Sequence, residues 1–156
     1  MKKSAIILTI LAFALTSALP TQAQPSAKNT IFFEGGGNGF LYTINYDRMV
    51  SDTWSARVGL MSHPAITVVP IMANKLKGAG NSKLELGAGV MLIELSPILD
   101  FVALINDDHL GPVGVTTTIG YRYQRPDGGI NFRIGLTPFL APDFGVSAGL
   151  SLGYTL

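Results

Sequence analysis

The chain has 156 residues, a net charge of +1, 18 glycines and no cysteine. This length is enough for one domain, and the lack of cysteine excludes disulfides and a lipid anchor of the lipoprotein type. The basic residues are dispersed without a patch or run, so the composition does not favour a nucleic-acid partner.

Residues 1–23 have the composition of a secretory signal peptide. Lys2 and Lys3 precede an apolar run over 5–15, and Ala23 ends a segment with small residues where signal peptidase cleaves. The run is shorter than the roughly 20 residues that a membrane-spanning helix needs, and no later stretch is long enough. We therefore expect residues 1–23 to be a Sec-type signal peptide, and residues 24–156 to be the mature domain.

The rest of the chain alternates between apolar and polar or small residues, which is the pattern of β-strands. Turns rich in Gly, Asn, Asp or Pro separate the alternating segments. The segment 66–75 is apolar on both faces and contains Pro70, so its register is not predicted. The predicted strands are 30–36, 40–50, 54–61, 66–75, 83–92, 113–124, 130–140 and 145–156.

The last strand indicates the environment of the sheet. Over 145–156, apolar residues occupy the even positions and Gly, Ser or Thr the odd ones, with no charge on either face. An outer-membrane strand places such an apolar face against lipid, and eight strands is the usual number for the smallest single-chain barrels. We predict an all-β fold, an eight-stranded antiparallel up-and-down transmembrane β-barrel.

The connections sort by length in the way that outer-membrane barrels require. With both termini in the periplasm, the turns 51–53, 78–82 and 125–128 are periplasmic and short, whereas the longest connection, 93–112, is external. Its Ser96-Pro97 pair suits a helix start, and an extension of the flanking strands is the alternative. Its apolar residues suggest contact with lipid, the barrel mouth or an extracellular partner.

Aromatic residues cluster near the predicted periplasmic strand ends and face outward, as expected of a membrane-interface girdle. This girdle comprises Tyr46, Trp54, Tyr121, Tyr123, Phe132 and Tyr154. A second girdle at the external ends is predicted from Phe33, Phe40, Tyr42 and either Phe139 or Phe144.

Three segments, 83–90, 118–129 and 132–138, resemble small, uncharacterised outer-membrane barrel proteins of Bacteroidota-type bacteria. In architecture these resemble the OmpA/OmpX-like eight-stranded barrels. The C-terminal strand, with Leu152, Tyr154 and Leu156, is similar to the signal that the barrel assembly machinery reads. That signal usually ends in Phe, whereas this chain ends in Leu156. The resemblance covers most of residues 24–156 and implies no catalytic motif.

Inward positions of the predicted strands hold three acids and three bases. An eight-stranded barrel is only wide enough for side chains to fill, and charges in so narrow a space must pair. The sequence therefore predicts an ion-paired plug, with a gated pore as the alternative. The predicted network is Glu34, Asp47, Arg57, Glu85, Arg122 and Arg133.

Candidates for catalysis or metal binding are weak. Asp107, Asp108 and His109 in the external connection resemble a cation or general-base site, but neighbouring acids in a loop are usually solvated. Ser62 and His63 have no supporting motif. We predict no enzyme, no metal site and no cofactor.

The predicted role is structural or interactive: a monomeric barrel of the Gram-negative outer membrane, with membrane lipid and the barrel assembly machinery as its partners. An extracellular partner at 93–112 is a further expectation. A small-solute, porin-like pore is the second hypothesis. A soluble periplasmic lipocalin-like barrel, with its apolar face inward, is the third.

Overall fold

The computed structural model describes residues 28–95 and 113–156, which form eight β-strands and one short 3-10 turn, Gly37–Gly39. Within these residues, no helix has the length and hydropathy needed to cross a membrane. The strands are β1 (Asn29–Gly36), β2 (Tyr42–Met49), β3 (Trp54–His63), β4 (Ile66–Lys77), β5 (Ser82–Leu95), β6 (Val113–Gln124), β7 (Gly129–Leu140) and β8 (Phe144–Thr155).

Each strand pairs antiparallel with its neighbour in sequence, and β8 pairs back to β1, so the sheet is a closed barrel. Following paired residues around the barrel from Thr30 leads to Gly145 on β8, whereas Thr30 itself pairs with Thr155. This ten-residue stagger between Gly145 and Thr155 means that the strands are tilted against the barrel axis. The predicted eight-stranded up-and-down β-barrel is confirmed.

The two ends of the barrel differ. The termini end is where β1 begins and β8 finishes, and it carries the short connections 50–53, 78–81 and 125–128. The loop end carries the turn Gly37–Gly39, the connections 64–65 and 141–143, and the last residue of β5 and the first of β6. The predicted signal peptide and most of the predicted connection 93–112 lie outside the described residues.

The predicted strand positions agree closely with the structure, with three differences at the loop end. β3 continues to His63, two residues beyond the predicted end at 61. β5 continues to Leu95, so the connection predicted to begin at residue 93 begins later. β2 begins at Tyr42 rather than Phe40, because Phe40 adopts a positive φ of 68° that ends the turn rather than beginning a strand.

The register of β4, which the sequence did not predict, places Pro70 inside the barrel, where it is buried. The β3–β4 ladder passes from the Val58–Ile71 pair to the Met61–Val68 pair, and the positions between are not paired. Proline has no N–H to donate, so the ladder is interrupted beside it.

Apolar side chains fill the interior near the loop end. This apolar cluster consists of Met61, Val68, Met91, Ile93 and Ala141, with Phe40, Tyr42, Ile66 and Phe139 packed against it. Phe40 and Phe139 meet edge to face, with ring centroids 5.0 Å apart. These two aromatics therefore belong to the interior, and the prediction that Phe40 joins an external girdle is wrong. Of the alternatives Phe139 and Phe144, the structure leaves Phe144, which is 72% exposed.

Candidate functional site

The polar half of the interior is the candidate site. All six charged residues that the sequence placed in the lumen have side chains facing inward, and none is more than 5% exposed. They occupy alternate positions whose strand neighbours face outward, so the period of two places them there. They are Glu34 on β1, Asp47 on β2, Arg57 on β3, Glu85 on β5, Arg122 on β6 and Arg133 on β7.

Four of these residues form one network around Asp47. Arg122 Nη2 lies 2.8 Å from Asp47 Oδ1, and Arg133 Nη2 lies 3.5 Å from the same oxygen. Glu85 Oε1 accepts from Arg133 Nη1 at 3.1 Å and lies 3.6 Å from Arg122 Nη1. Ser55 Oγ donates to Asp47 Oδ2 at 2.9 Å, which satisfies the second carboxylate oxygen. Buried charges with this many partners resist rearrangement, because each carboxylate is held from two sides.

The other two charges form a second pair nearer the loop end. Arg57 Nη1 lies 3.7 Å from Glu34 Oε1, and Thr43 Oγ1 donates to Glu34 Oε2 at 3.3 Å. Between the two groups lies the ring of Phe32, with Arg133 4.1 Å and Arg57 5.9 Å from its centroid. A guanidinium above an aromatic face is attracted to it, so Phe32 links the two charged groups.

The turn Gly37–Gly39, here called the lumen turn, folds into the barrel rather than away from it. All three residues are buried, and Gly36 and Gly37 have φ values of 71° and 67° that side chains rarely adopt. Asn38 Nδ2 donates to Thr116 Oγ1 at 2.6 Å, while Asn38 Oδ1 accepts from Arg57 Nη2 and, at 3.2 Å, from Thr118 Oγ1. The lumen turn thus ties the Glu34–Arg57 pair to β6.

A small cavity of about 10 Å³ lies among the charged side chains, lined in part by Glu34, Arg57, Glu85 and Arg133. A cavity of this size holds about one water molecule. Several buried polar atoms nearby have no protein partner, among them Arg57 Nε and Arg122 Nε. The interior therefore combines dense ion pairing with room for isolated waters.

The outer face of the barrel has the opposite chemistry. In the eight described strands, outward-facing charged residues occur only at strand ends, namely Arg48, Lys75, Lys77 and Glu94. Many of the positions between them carry apolar side chains that are more than a third exposed. These are Ile31, Phe33, Ile44, Ile71, Leu84, Val90, Val115, Ile119, Ile134, Leu136, Val146, Leu150 and Leu152.

The six aromatics predicted as one girdle all face outward, in the half of the barrel nearer the termini end. Trp54, Tyr121 and Tyr154 are 42%, 41% and 56% exposed, and the other three, Tyr46, Tyr123 and Phe132, are half-buried. Lys75 Nζ lies 5.3 Å from the Trp54 ring centroid, which fixes one basic side chain against this belt. Leu152 and Tyr154 of β8, and Leu156 directly after it, are also exposed.

The weak catalytic and metal candidates Asp107, Asp108 and His109 lie outside the described residues. Across 28–95 and 113–156, no group of three or more His, Asp and Glu side chains could hold a metal ion. In the turn between β6 and β7, Arg125 Nε donates to Asp127 Oδ1 at 3.0 Å. This hydrogen bond lowers the pKa of Asp127 and raises that of Arg125, since it favours both charged forms.

Sequence reasoning missed several residues that build this interior. From the sequence, Asn38 belongs to an ordinary glycine-rich turn, and Phe32, Ser55 and Asn74 have no predicted role beside the charges. In the structure, Asn74 Nδ2 lies 3.5 Å from Asp47 Oδ2. The signal for Asn38 was available, because one amide among four glycines in 35–39 is a lone hydrogen-bonding group on a backbone free to fold inward.

Comparisons with protein-family models, curated proteins and solved structures gave no match for the chain. Its class therefore rests on its own geometry. The described residues define a closed eight-stranded antiparallel β-barrel with an apolar outer band, an ion-paired interior and an apolar cluster at the loop end.

Proposed function

We propose that the chain is an integral outer-membrane β-barrel protein with a filled lumen, serving as a stable lipid-embedded scaffold for surface interaction through its loop end. The observation that carries this proposal is the inversion of polarity. Charged side chains are buried and paired inside, while the outer band between the strand ends is apolar. Monomeric soluble proteins rarely expose so large a contiguous apolar surface, whereas a lipid-facing barrel requires one.

Three further features support a membrane position. The outward aromatics near the termini end match an interfacial girdle, and Arg48, Lys75 and Lys77 lie at that end, where headgroups would meet them. The C-terminal strand resembles an assembly signal, and residues 1–23 resemble an export signal. Outer-membrane lipid and the barrel assembly machinery are accordingly the proposed partners, and the protein is proposed as a monomer without enzymatic activity or cofactor. The resemblance to small barrels of Bacteroidota-type bacteria stays a prediction.

The pore hypothesis is less well supported. A solute passing along the axis would meet the apolar cluster, the lumen turn and the Asp47 network in turn, and each would have to move. Planar bilayers test the point. We expect no discrete conductance from the wild-type barrel, and a conductance that changes in Arg122→Ala or Arg133→Ala would favour the pore instead.

The lipocalin-like hypothesis requires an apolar cavity inside the barrel and a water-compatible outer face. The cavity among the interior charges is about 10 Å³ and is lined by ionised side chains, so an apolar ligand does not fit it. In a soluble barrel, the exposed leucines and isoleucines of the outer band would be in contact with water. This would cost about 25 cal/mol for each Å² of exposed apolar surface.

Heat-modifiability is the experiment that tests the proposal. Cells expressing the full chain are fractionated, and the membrane and periplasmic fractions are run on a denaturing gel with and without boiling. We expect the protein in the outer-membrane fraction, with unboiled and boiled forms migrating differently. Protein in the soluble periplasmic fraction with no mobility difference would contradict the membrane assignment.

Orientation has its own test, because the chain contains no cysteine. Pro64→Cys introduces a thiol in an exposed connection at the loop end, and Ala79→Cys introduces a matched one in an exposed turn at the termini end. A membrane-impermeant maleimide applied to intact cells should label only the Pro64→Cys variant. Labelling of Ala79→Cys alone would reverse the proposed orientation.

The surface role assigned to residues 93–112 is tested by shortening this segment. Replacement of 97–111 by a short Gly-Asn linker should preserve the gel shift, because the barrel ladders end at Leu95 and begin again at Val113. Loss of the gel shift would show that the segment is needed for the barrel rather than for interaction.

A further inference from the structure

Three cations lie directly opposite one another on three neighbouring strands. Lys83 on β5 pairs with Arg122 on β6, and Arg122 pairs with Arg133 on β7, and all three occupy inward-facing positions. Like charges in directly opposed positions destabilise a sheet. Asp47 and Glu85 neutralise the two arginines, but Lys83 forms no ion pair with any described residue.

The inward-facing positions of the described strands hold one more cation than they hold carboxylates. Inward positions of the described strands hold four cations, Lys83 and the three arginines, and three carboxylates. The three carboxylates are Glu34, Asp47 and Glu85, and each is already engaged by arginine. An unmatched positive charge at the edge of a buried network attracts an anion.

Lys83 faces a cavity that opens at the termini end, here called the vestibule, with a volume of about 200 Å³. Lys28 and Arg125 also line it, and Asp52 is the one carboxylate among its lining residues. Arg125 is held in place by Asp127. Because Asp127 neutralises Arg125, the balance rests on Lys28 and Lys83 against the one carboxylate of Asp52, which attracts Lys83. The lining therefore has one positive charge in excess.

Gln124 adds a specific polar group to this wall. Its side chain is 4% exposed, and its Oε1 atom accepts no hydrogen bond from the described residues. A buried amide oxygen without a partner costs free energy. This oxygen has less than 1 Å² of accessible surface, so a ligand hydroxyl satisfies it once the Gln124 side chain turns toward the vestibule.

We propose that the vestibule is a binding site for a small phosphate compound that carries a hydroxyl group, with Lys83 and Lys28 neutralising the phosphate and Gln124 Oε1 accepting from the hydroxyl. The same chemistry occurs in free glycerol 3-phosphate and in the glycerol headgroup of an anionic phospholipid. The site does not depend on the membrane assignment, because it is built by the interior and turns of the barrel alone.

The binding test uses the full barrel refolded in a maltoside detergent, which contributes no phosphate. Glycerol 3-phosphate is titrated and followed by calorimetry. We expect saturable one-site binding that Lys83→Gln weakens about tenfold, the loss of roughly one charge-assisted hydrogen bond. Lys77→Gln is the matched control, because it removes the same charge from an exposed outer position at the same end. Equal weakening by the two variants, or the absence of saturation, would overturn the proposal.

A stability measurement tests whether Lys83 belongs to a binding site or is a solvated side chain that binds no ligand. Without ligand, Lys83→Gln should raise the melting temperature, because it removes a cation opposed to Arg122. Glycerol 3-phosphate should raise the melting temperature of the wild-type barrel but not that of Lys83→Gln. A ligand-induced rise of the same size in both proteins would overturn the site.

The last step distinguishes the two sources of the ligand. Phosphatidylglycerol in mixed micelles is added to the glycerol 3-phosphate complex, with phosphatidylcholine as the zwitterionic control. Displacement by phosphatidylglycerol alone assigns the site to a lipid headgroup, and no displacement assigns it to a soluble compound. Both outcomes retain the phosphate site, whereas equal displacement by phosphatidylcholine would contradict recognition through the anion and its hydroxyl.

Discussion

Arg122 and Asp47 form a 2.8 Å ion pair in which neither side chain has any exposed surface. The pair joins strands on opposite sides of the barrel, β6 and β2, across the lumen. Its hydrogen bonds therefore cross the lumen, whereas the backbone hydrogen bonds of the sheet join only neighbouring strands. The interior charges therefore connect opposite walls of the barrel.

Removing both members of the Arg122–Asp47 pair should cost less than the sum of the two single removals. Arg122→Met leaves the buried Asp47 with Arg133, 3.5 Å away, as its one remaining cationic partner among the described residues, so we expect a loss of about 3–5 kcal/mol in the free energy of unfolding. The Arg122→Met/Asp47→Leu double variant should lose less than the sum of the single variants. Urea unfolding of the refolded barrel, followed by the fluorescence of Trp54, the single tryptophan, measures these values.

Lys77→Met serves as the control for this series, because it removes a charge from an exposed position. We expect it to change the free energy of unfolding by less than about 0.5 kcal/mol. Additive losses in the double variant would show that the pair is not coupled, in contradiction to the interior geometry.

Asn38 should stabilise the barrel from within. Asn38→Ala removes the hydrogen bonds to Thr116 and Thr118 and leaves Arg57 with fewer acceptors, so a loss of about 1–3 kcal/mol is expected. The same unfolding measurement tests it. Asn81→Ala, in an exposed turn at the other end, is the matched control and should be close to wild type. Equal stability of the two variants would mean that the lumen turn does not hold its place in the barrel.

The outer band should reject charge in a bilayer. Leu150 is 55% exposed and pairs with Ile134 near the middle of β8. In lipid, Leu150→Arg should cost about 2–4 kcal/mol, because the guanidinium would face hydrocarbon. Ala79→Arg, in an exposed turn, should cost little. Folding yield into vesicles, read from the gel shift, compares the two. A Leu150→Arg variant that folds as well and becomes soluble without detergent would contradict a lipid-facing band.

The Arg125–Asp127 contact, in the turn between β6 and β7, should make a pH-dependent contribution to stability. Because the hydrogen bond from Arg125 lowers the pKa of Asp127, its contribution is present above the usual aspartate value of about 3.9 and is lost as the pH falls below it. Arg125→Gln should move the pKa of Asp127 upward, toward its usual value. Carbon NMR titration of the Asp127 carboxyl group measures the shift, with Lys77→Gln as an equal change of charge nearby. An unchanged titration midpoint in Arg125→Gln would contradict the contact.

The strands were predictable because strict alternation of apolar and polar or small residues fixes which side chains face inward. In β6 the predicted and observed bounds coincide at 113–124, since apolar and small residues alternate there between clear turns. The same alternation was enough to place Arg122 and Arg133 inside, because one misplaced residue would reverse every face of the strand. The identity of each charge partner was not predictable, since it depends on which strands meet across the lumen.

The errors fall at the loop end, where chain direction is set by packing rather than by alternation. Phe40 and Phe139 look like outer aromatics in sequence, yet they pack together inside. Phe40 reaches the interior because the glycines at 36 and 37 take positive φ and turn the chain inward. The vestibule, at the termini end, was also missed. Its role for Lys83 depends on Arg122 and Arg133, which lie beside it in the barrel but follow it by 39 and 50 residues in the chain.

The pairing of β1 with β8 means that the barrel cannot close until its eighth strand is present. β1 holds hydrogen bonds to β2 on one side and to β8 on the other, so its second partner is the last strand of the barrel to be synthesised. Until residues 144–155 are in place, β1 and β7 both present unpaired edges, and open strand edges recruit other chains. A nascent or truncated chain that stops after Leu140 should therefore aggregate edge to edge rather than persist as a smaller barrel. The closed barrel has no unpaired strand edge.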